Sequence, residues 1–276
     1  MTTNYFYKNT QSKFLEISGE DSISFIQNLI TNDIDKSKKN HFLYSCLLTP
    51  QGKFIADFFI FKKNDKFIFE IHEKYYETLV QKFNLYKLKS NIKIKNIDSM
   101  YSFVIFDRIN PTNKFEIFNF DPRNNNIGKK LIQNLSTLTN NKILTEINEE
   151  KYREILIKNH VPYSTYDLKE NKSLLLENNF DNLNAISWDK GCYVGQELTA
   201  RMKYRALLKK KLYSMKIIDG NINIGDKIIE NEYILGEVVS KANQHLFCML
   251  KIEYVKEKSL KKDFLKTSTL ATLKFL

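Results

Sequence analysis

The octet KGCYVGQE at residues 190–197 places the tightest constraint on the local fold of this chain. Gly191 and Gly195 flank Cys192 and Tyr193, so the backbone there can turn sharply, adopt a positive φ or approach a ligand closely. The residues from Gly195 onward, GQELTARMK, are good helix formers, and glycine is an acceptable N-cap. The octet therefore predicts a tight turn that leads into a helix.

Cys192 has the most distinctive chemistry in this octet. A helix N-terminus and the neighbouring Lys190 would both favour the thiolate, which is the nucleophilic and metal-binding form of cysteine. A buried, inert cysteine in a strand-to-helix turn is the plainer interpretation. The density of cation, thiol, phenol, amide and carboxylate in eight residues favours a functional thiol instead. The motif comprises Lys190, Gly191, Cys192, Tyr193, Gly195, Gln196, Glu197 and Arg201.

The chain up to Leu207 alternates between strand-like and helix-like hydrophobic patterns. Apolar residues recur at helical spacing in some segments and at strand spacing in others, and turn residues separate them. This mixture predicts an α+β domain. The predicted strands are 14–17, 41–48, 54–61, 67–71, 90–98, 101–106, 115–120 and 185–188, and the predicted helices are 23–30, 76–83, 131–135 and 149–159.

The pattern changes after Leu207, where short strand-like runs are separated by Gly, Asn and Asp. Several short strands without helices predict a small β-barrel or sandwich. We therefore expect one domain at residues 1–207 and a second at 208–276. The runs of this second domain are 211–218, 227–229, 234–240, 246–254 and a last one from 267.

The net charge of +11 favours a polyanionic partner such as RNA, or a small anionic ligand. The lysines are spread over the whole chain, however, and only the runs at 35–40 and 209–211 form clusters. A solvated basic surface is the simpler explanation. An RNA-associated protein is the last-ranked hypothesis, because the sequence lacks an RRM-type aromatic signature and a KH-type GxxG loop in context.

The three cysteines, Cys46, Cys192 and Cys248, lack CxxC spacing, which argues against a disulfide framework or a zinc ribbon. No intrinsic metal site is predicted, and Cys46 and Cys248 are expected in the core because their surroundings are apolar. No apolar run approaches the ~20 residues of a membrane-spanning helix. The N-terminal segment shows neither a secretory signal nor a clear transit peptide, so we expect a cytoplasmic protein of bacterial type.

The extended motif KGCYVGQELTAR resembles the signature of the YgfZ/GcvT-like folate-binding family. The resemblance is to the branch that contains bacterial YgfZ and the related mitochondrial iron–sulfur cluster assembly factor. Supporting stretches are spread over most of the chain. They are ISGEDSISFIQNLITND, LLTPQGKFIADFFIF, FNFDPRNNNIG, LLLENN, which resembles the PxE segment of the family, and GEVVS.

The resemblance implies an α+β folate-binding body with subdomains around a central cavity, followed by a C-terminal β-barrel. It also implies binding of tetrahydrofolate or a one-carbon derivative. A carboxylate such as Glu177 could accept hydrogen bonds from a pterin edge, an aromatic ring such as Tyr152 or Tyr193 could stack on it, and Lys or Arg suit the glutamate tail. The predicted folate contacts are Thr31, Asn32, Asp33, Asp57, Arg123, Tyr152 and Glu177.

The implied function is assembly or repair of iron–sulfur proteins, with an effect on tRNA modification through iron–sulfur enzymes. One thiol cannot supply the four thiolates of an ordinary cluster, so a cluster would be held only transiently with a partner. The expected partners are folate and iron–sulfur assembly or client proteins. Non-enzymatic action as an assembly factor is the favoured class.

A folate-dependent aminomethyltransferase of glycine-cleavage type is the second hypothesis. The transferases of the superfamily usually carry two adjacent acidic residues after the hairpin turn, whereas this chain has Ala56 and Asp57. The missing carboxylate puts the proton-handling arrangement of a transferase in doubt. Leu175 also replaces the usual proline of the PxE segment, which bears on local geometry rather than on the resemblance itself.

Overall fold

The structure of the chain is a computed structural model that describes residues 4–37, 41–106, 115–134, 136, 144–205 and 207–276. These residues form two five-stranded sheets and a closed six-stranded barrel. The strands are β1 (Asn4–Asn9), β2 (Ser12–Ser18), β3 (Leu43–Leu48), β4 (Phe54–Lys63), β5 (Lys66–His72), β6 (Lys93–Ile97), β7 (Tyr101–Ile105), β8 (Ile117–Phe120), β9 (Lys129–Gln133), β10 (Leu144–Glu146), β11 (Lys210–Asp219), β12 (Lys227–Glu230), β13 (Tyr233–Ala242), β14 (His245–Lys251), β15 (Phe264–Thr267) and β16 (Thr272–Phe275).

The helices of the described residues are short, apart from one of four turns. None of these helices combines the length and the apolar character needed to cross a membrane. The α-helices are α1 (Ser22–Gln27), α2 (Glu73–Lys87), α3 (Glu149–Lys158), α4 (Ser164–Asp167), α5 (Gln196–Tyr204) and α6 (Ile252–Lys261), and single 3₁₀ turns lie at Ile34–Lys36, Asn125–Ile127 and Leu176–Asn178.

The first sheet has the strand order β3-β4-β5-β2-β6, and all its neighbours are antiparallel. Helix α2 packs against β4 and β5 with Tyr75, Leu79 and Phe83, which recur at helical spacing and are buried. The hairpin of β3 and β4 turns at Pro50 to Gly52, as the turn residues predict. This hairpin carries several of the predicted site residues.

The second sheet has the order β10-β1-β7-β9-β8. A buried ion pair connects it to the first sheet, because Lys130 of β9 lies 3.1 Å from a carboxylate oxygen of Glu70 on β5. The Lys130 ammonium also lies 4.1 Å from the ring centre of Phe59. Removing one partner of such a pair leaves a buried charge, so this contact holds the two sheets in one arrangement.

The C-terminal strands close into a barrel in the order β11-β14-β13-β12-β15-β16, which confirms the predicted α+β fold with a β-barrel. Its core is apolar and includes Met215, Leu246 and Leu273, all fully buried. Helix α3 of the N-terminal part packs against β13 and β14. Arg153 of α3 donates to the carbonyl oxygen of Lys241 at 3.0 Å. The barrel begins at Lys210, and the domain boundary at 207/208 stays a prediction.

Three sequence predictions of secondary structure are wrong. The helix predicted at 131–135 is strand β9, paired on both sides so that Leu131 and Ile132 are buried on opposite faces; Leu135 lies outside the described residues. The last part of the run at 246–254 belongs to α6, so the barrel does contain a helix. Residues 185–188 form no strand, because they lie along the end of α1. Residues 38–40 of the basic run also lie outside the described residues.

Candidate functional site

Lys190 anchors the motif to the end of α1. Its ammonium donates to the carbonyl oxygens of Gln27, Ile30 and Asn32 at 2.6, 2.8 and 2.9 Å. The side chain is largely buried and lies over the Tyr193 ring at 5.1 Å. Burial lowers the pKa of Lys190 to about 8, and the nearby acidic groups oppose that shift. A single cation thereby satisfies the carbonyl of the last residue of α1 and two carbonyls of the segment that follows it.

The glycine after the thiol fits a close contact with the β3–β4 hairpin. Gly195 has a φ of +82° and is the N-cap of α5. A Cβ at this position would lie 2.3 Å from the carbonyl oxygen of Thr49. Gly52, at the hairpin turn with a φ of +74°, faces Gly195 in the same way, since its Cβ would lie 2.9 Å from the carbonyl oxygen of Gly195. The turn and helix predicted from the sequence are confirmed.

The remaining residues of the motif support the turn and the first part of α5. The backbone N–H of Tyr193 donates to the Gln196 side chain at 3.2 Å, and the Tyr193 ring is buried, which raises the pKa of its hydroxyl. Glu197 and Arg201 form an exposed ion pair at 2.6 Å, one helical turn apart. Such a pair contributes little to stability because water and ions screen it.

Cys192 is exposed and unpaired at the surface of this turn. The three N–H groups of the Lys190 ammonium are all donated to carbonyls, so none remains for a hydrogen bond to the thiol, and the effect of its charge on Cys192 stays a prediction. Helix α5 begins at Gln196, four residues after the thiol, so Cys192 does not occupy the helix terminus. The described residues contain no group of three or more His, Cys, Asp or Glu that could hold a metal.

Thr31 and Asn32 connect this turn to the first sheet. The Thr31 hydroxyl donates to the carbonyl oxygen of Ala185 at 2.7 Å and accepts from the backbone N–H of Cys46 at 3.0 Å. The Asn32 amide donates to the carbonyl oxygens of Tyr44 and Asn184 at 2.8 and 2.6 Å. Both side chains are buried with protein partners. Their hydrogen bonds stabilise the N-terminal α+β part of the chain, and neither side chain is exposed to a ligand.

Asp33 has a local role at the start of the following 3₁₀ turn. Its carboxylate accepts from the Gln27 side chain at 2.7 Å and from the backbone N–H of Asp35 at 3.1 Å. These hydrogen bonds outweigh the effect of partial burial and lower the pKa of Asp33. Asp33 therefore connects the last residue of α1 to the 3₁₀ turn that follows.

Asp57 lies on β4 opposite Cys46 and is half-buried. It accepts a hydrogen bond from the hydroxyl of Tyr44 at 2.6 Å. The Tyr44 hydroxyl is fully buried, which raises its pKa well above the ordinary value, and the Asp57 charge adds to that shift. Ala56 beside it is buried in the core. The single carboxylate is thus held by a phenol.

Arg123 forms a buried pair with Asp121 in the DPR segment. Its Nε and Nη2 atoms donate to the two Asp121 oxygens at 3.0 and 2.8 Å, and Nη2 also donates to the Tyr152 hydroxyl at 3.1 Å. The guanidinium lies 5.5 Å from the Tyr44 ring centre and 4.9 Å from that of Phe59. The Asp121 carboxylate outweighs the cost of burial and raises the pKa of Arg123.

Tyr152 is stacked against the protein itself. Its ring lies 4.3 Å from that of Tyr7 at an interplanar angle of 16°. Burial raises the pKa of its hydroxyl to about 12, although the charge of Arg123 acts in the opposite direction. One face of the proposed aromatic platform is therefore already occupied. We call Asp57, Tyr44, Arg123, Asp121 and Tyr152 the arginine centre.

Glu177 lies apart from the arginine centre, at a cavity of about 830 Å³ between α5 and the first strand of the barrel. Its carboxylate is 3.4 Å from the Lys210 ammonium. Leu198 and Met202 of α5 form the apolar side of the cavity, and Lys251 of β14 also lines it. Lys210 and Lys251 are opposite each other in the β11–β14 ladder.

The predicted site residues thus fall into three places. The thiol is exposed, the arginine centre is buried with Thr31 and Asn32 beside it, and Glu177 lies at the cavity near the barrel. Sequence reasoning missed Tyr44 and Lys210 as neighbours of Asp57 and Glu177. The Lys209 to Lys211 cluster was visible in the sequence, but its position beside Glu177 depends on the tertiary fold.

The fold and the site define a GcvT-like α+β protein with a C-terminal barrel and an exposed motif cysteine. Residues 9–105 match the family model described as the GCVT N-terminal domain. The crystal structure of glycine cleavage system aminomethyltransferase T from Bartonella henselae superposes with a TM-score of 0.78 at 8% identity, covering 99% of this chain and 85% of that one. This likeness concerns the fold.

The chain is also similar in sequence to several proteins of known name. The mitochondrial iron–sulfur cluster assembly factor IBA57 homologues of Mycosarcoma maydis and Neurospora crassa are 27% and 29% identical, over 72% and 74% of this chain. This chain covers 53% and 52% of their lengths, so it spans about half of these relatives. The tRNA-modifying protein YgfZ of Blochmanniella pennsylvanica is 24% identical over 73% of this chain and 68% of its own length.

These findings confirm the resemblance to the YgfZ/GcvT-like family. The expected location is corrected by them: the cytoplasmic, bacterial-type prediction is wrong, because the assembly-factor relatives from fungi, Dictyostelium discoideum and mouse are named as mitochondrial proteins.

Proposed function

We propose that this chain acts in the assembly or repair of iron–sulfur proteins and that Cys192 is its working thiol. One observation carries the proposal: an exposed cysteine, in no disulfide, lies on a turn that Lys190 and Gly195 hold against neighbouring segments. The relatives named as iron–sulfur cluster assembly factors support the class of function. An effect on tRNA modification, as in the name of the YgfZ relative, follows if the clients include tRNA-thiolating enzymes.

The anchoring explains how a small loop can present a thiol in a fixed place. Before the thiol, Lys190 donates hydrogen bonds to three carbonyl oxygens. After the thiol, Gly195 packs closely against the β3–β4 hairpin. Fixing the loop before a partner arrives lowers the conformational entropy lost on association. The thiol itself is exposed and in no disulfide, and the Lys190 ammonium beside it is used by carbonyls outside the motif.

The chemistry of one thiol limits what Cys192 can do. An ordinary iron–sulfur cluster takes four thiolates, and the described residues offer no further ligand group. Cys192 would therefore contribute one ligand to a cluster whose other ligands come from a partner protein or a small thiol. The cluster is cargo in this scheme, and iron–sulfur assembly or client proteins are the partners.

The decisive experiment replaces Cys192 in a strain that lacks the protein. Cys192→Ala should abolish the recovery of iron–sulfur enzyme activity and of thiolated tRNA, with the protein present at its normal level. Asp189→Ala is the matched control, because Asp189 is an exposed neighbour outside the motif. Full recovery by Cys192→Ala would remove the thiol from the mechanism.

We further propose that the cavity beside Glu177 binds the tetrahydrofolate-type ligand. Its volume of about 830 Å³ lies in the range of small-molecule sites. Leu198 and Met202 offer an apolar wall for a flat ring, and the Glu177 carboxylate can accept hydrogen bonds from a pterin edge. The cavity adjoins α5, so a ligand there would contact the helix that follows Cys192.

The lysines of this cavity favour a ligand with negative charge. Lys210 and Lys251 are directly opposite in an antiparallel ladder, and like charges in that position repel each other. Of these two lysines, Lys210 alone has an acidic partner at a salt-bridge distance within the described part of the chain, and that partner is Glu177. An anionic glutamate tail would relieve the repulsion. Among the predicted folate contacts, the arginine centre, Thr31, Asn32 and Asp33 then shape the body, and Glu177 touches the ligand.

Calorimetric titration with tetrahydrofolate and its one-carbon derivatives tests the folate site. Glu177→Gln should weaken binding about tenfold through loss of a charged acceptor, and Lys251→Gln by a smaller factor. Lys256→Gln, a change on the exposed face of α6, is the control. The proposal fails if no tetrahydrofolate derivative binds, or if Glu177→Gln binds as tightly as the unmodified protein.

The fold also keeps an aminomethyltransferase in consideration, since the Bartonella structure is such an enzyme. The arrangement of Asp57 argues against turnover, because one carboxylate held by the Tyr44 hydroxyl replaces an adjacent acidic pair. A purified-protein assay with an aminomethyl-lipoyl carrier and tetrahydrofolate separates the two functions. We expect no turnover, and transfer of the one-carbon unit at a rate above background would restore the enzyme hypothesis.

A further inference from the structure

A second cavity, of about 480 Å³, lies where the body meets the barrel. The DPR segment, the end of α3, the turn after Leu176–Asn178 and strand β11 form its walls. Arg123, Asn179 and Ser214 line it, and each of these polar side chains is more than nine-tenths buried. The cavity shares no lining residue with the one beside Glu177.

Asn179 is the group that points to a ligand. Its backbone adopts a left-handed conformation with a φ of 66°, and its amide nitrogen donates to the carbonyl oxygen of Leu212 at 2.8 Å. That hydrogen bond fixes the side-chain orientation. The amide oxygen is buried and has no hydrogen-bond partner in the described part of the chain. A buried acceptor of this kind costs about 1–3 kcal/mol unless a donor reaches it.

Arg123 supplies donors to the same cavity. Its Nε and Nη2 atoms are used by Asp121 and Tyr152, and no acceptor for Nη1 occurs among the described residues. The guanidinium is fixed in place by its bidentate pair, so a ligand would meet a preorganised donor. A hydroxyl for Asn179 and an anionic group for Arg123 would satisfy both.

The charged side chains at this cavity have one sign, and Leu276, the last residue of the sequence, also lines it. Lys211 and Arg123 line it, and the described residues contribute no Asp or Glu side chain to the lining. His160 also lines it, with Nδ1 at 2.9 Å from the Ser214 hydroxyl, and burial lowers the pKa of this histidine. Asp121 neutralises Arg123 in part, so Lys211 is the main cationic side chain that the lining offers to a ligand.

The last wall is aromatic. The rings of Tyr213 and Phe275 meet edge to face with centres 5.7 Å apart, and both line the cavity. Such a surface suits the apolar face of a sugar or of a heterocycle. Exposed Asn182 stands at the same cavity with an amide that can both donate and accept.

We propose that this cavity binds a phosphorylated sugar, either free or as the sugar–phosphate part of a mononucleotide. The phosphate meets Arg123 and Lys211, a sugar hydroxyl donates to the Asn179 amide oxygen, and the ring system lies along Tyr213. The site is independent of the folate cavity and of Cys192. Its ligand would bind between the body and the barrel and hold the two together.

Calorimetry on the full chain with ribose 5-phosphate, adenosine monophosphate, ribose and inorganic phosphate tests this site. We expect saturable binding of at least one of the two phosphorylated sugars, at least tenfold tighter than ribose or phosphate alone. Tighter binding of the nucleotide would identify the base as part of the ligand, and equal binding would identify the sugar phosphate. Saturating tetrahydrofolate should not displace either compound.

Two variants and one control locate the binding. Lys211→Gln and Asn182→Ala, on partly and fully accessible positions of the cavity, should each weaken binding about threefold to tenfold. Lys216→Gln, on the same strand and similarly half-buried but outside the cavity, should leave it unchanged. The proposal is overturned if neither phosphorylated sugar saturates the folded protein, or if both cavity variants bind like the unmodified chain.

Discussion

The arginine centre and the Cys192 turn both contain a buried cation, but they differ in whether the reactive groups around it have partners. In the arginine centre, a cation, two carboxylates and two phenols are buried or half-buried and hydrogen-bond to one another. In the Cys192 turn, the cation is buried beneath the loop and the thiol is left exposed without a partner. Chemical groups that are fully satisfied inside a protein stabilise its fold. A group that the fold holds in place but leaves unsatisfied is available for function.

The largest effect is expected from breaking the arginine centre. Arg123→Ala leaves Asp121 buried without its bidentate partner and should lower the free energy of unfolding by about 3–5 kcal/mol. Arg201→Ala, which removes the exposed pair with Glu197, should cost less than about 1 kcal/mol. Urea denaturation of both variants measures the contrast. Equal losses would mean that burial does not separate the two regions.

The Cys192 turn has its own internal contrast. Gly195→Ala places a Cβ 2.3 Å from the carbonyl oxygen of Thr49 at a φ of +82°, and should lower the free energy of unfolding by about 2 kcal/mol. Gly191→Ala, where a Cβ would meet nothing within 4 Å, should change it little. Thermal and urea unfolding of the pair test whether the hairpin contact fixes the turn. The idea does not survive if both alanines are tolerated alike.

Alkaline pH should destabilise the protein through Tyr152 of the arginine centre, alongside other buried tyrosines whose pKa values are also raised. Burial raises the pKa of Tyr152 to about 12, against an ordinary value of 10.0 in the unfolded chain. The folded state keeps this proton while the unfolded state loses it, so stability falls as the pH rises from about 10 to 12, by at most about 1.4 kcal/mol per pH unit. Tyr152→Phe should remove this part of the slope. An unchanged slope would contradict the assignment.

Thiol labelling compares the exposed Cys192 with the two buried cysteines and needs no change in stability. Iodoacetamide should modify Cys192 in the folded protein, while Cys46 and Cys248, both fully buried, should react only after denaturation. Mass spectrometry of native and unfolded samples counts the adducts. One adduct in the native state and three after denaturation are expected. Modification of Cys46 in the native state would show that the β3–β4 hairpin opens.

Much of the site could be predicted from residues that are near one another in sequence. The octet predicted a glycine turn and a helix, and both are present. Only glycine fits at position 195, because a Cβ there would collide with the carbonyl oxygen of Thr49. The TND tripeptide was expected to contact a folate, and in the structure the Thr31 and Asn32 side chains bond to the carbonyl oxygens of Ala185 and Asn184, while Asp33 caps the following turn. Polar residues at a helix end serve either purpose, and only their partners decide.

Long-range pairing accounts for the predictions that failed. Leu131 and Ile132 fit a helix pattern equally well, but β9 lies between β7 and β8, where both residues are buried on opposite faces. Lys190 was expected to polarise Cys192 from two residues away. Its ammonium donates to three carbonyl oxygens within residues 27–32, far away in sequence, and its effect on the thiol stays a prediction.

The sequence by itself determined the α+β body, the C-terminal barrel, the motif turn and the family resemblance, because these depend on local periodicity, glycine positions and short motifs. The tertiary structure alone decided that Arg123 is buried against Asp121, that Glu177 pairs with Lys210 and that Cys192 is exposed and in no disulfide. Burial and partnership depend on contacts between distant segments. They determine whether a charged or reactive side chain stabilises the fold or remains available to a ligand.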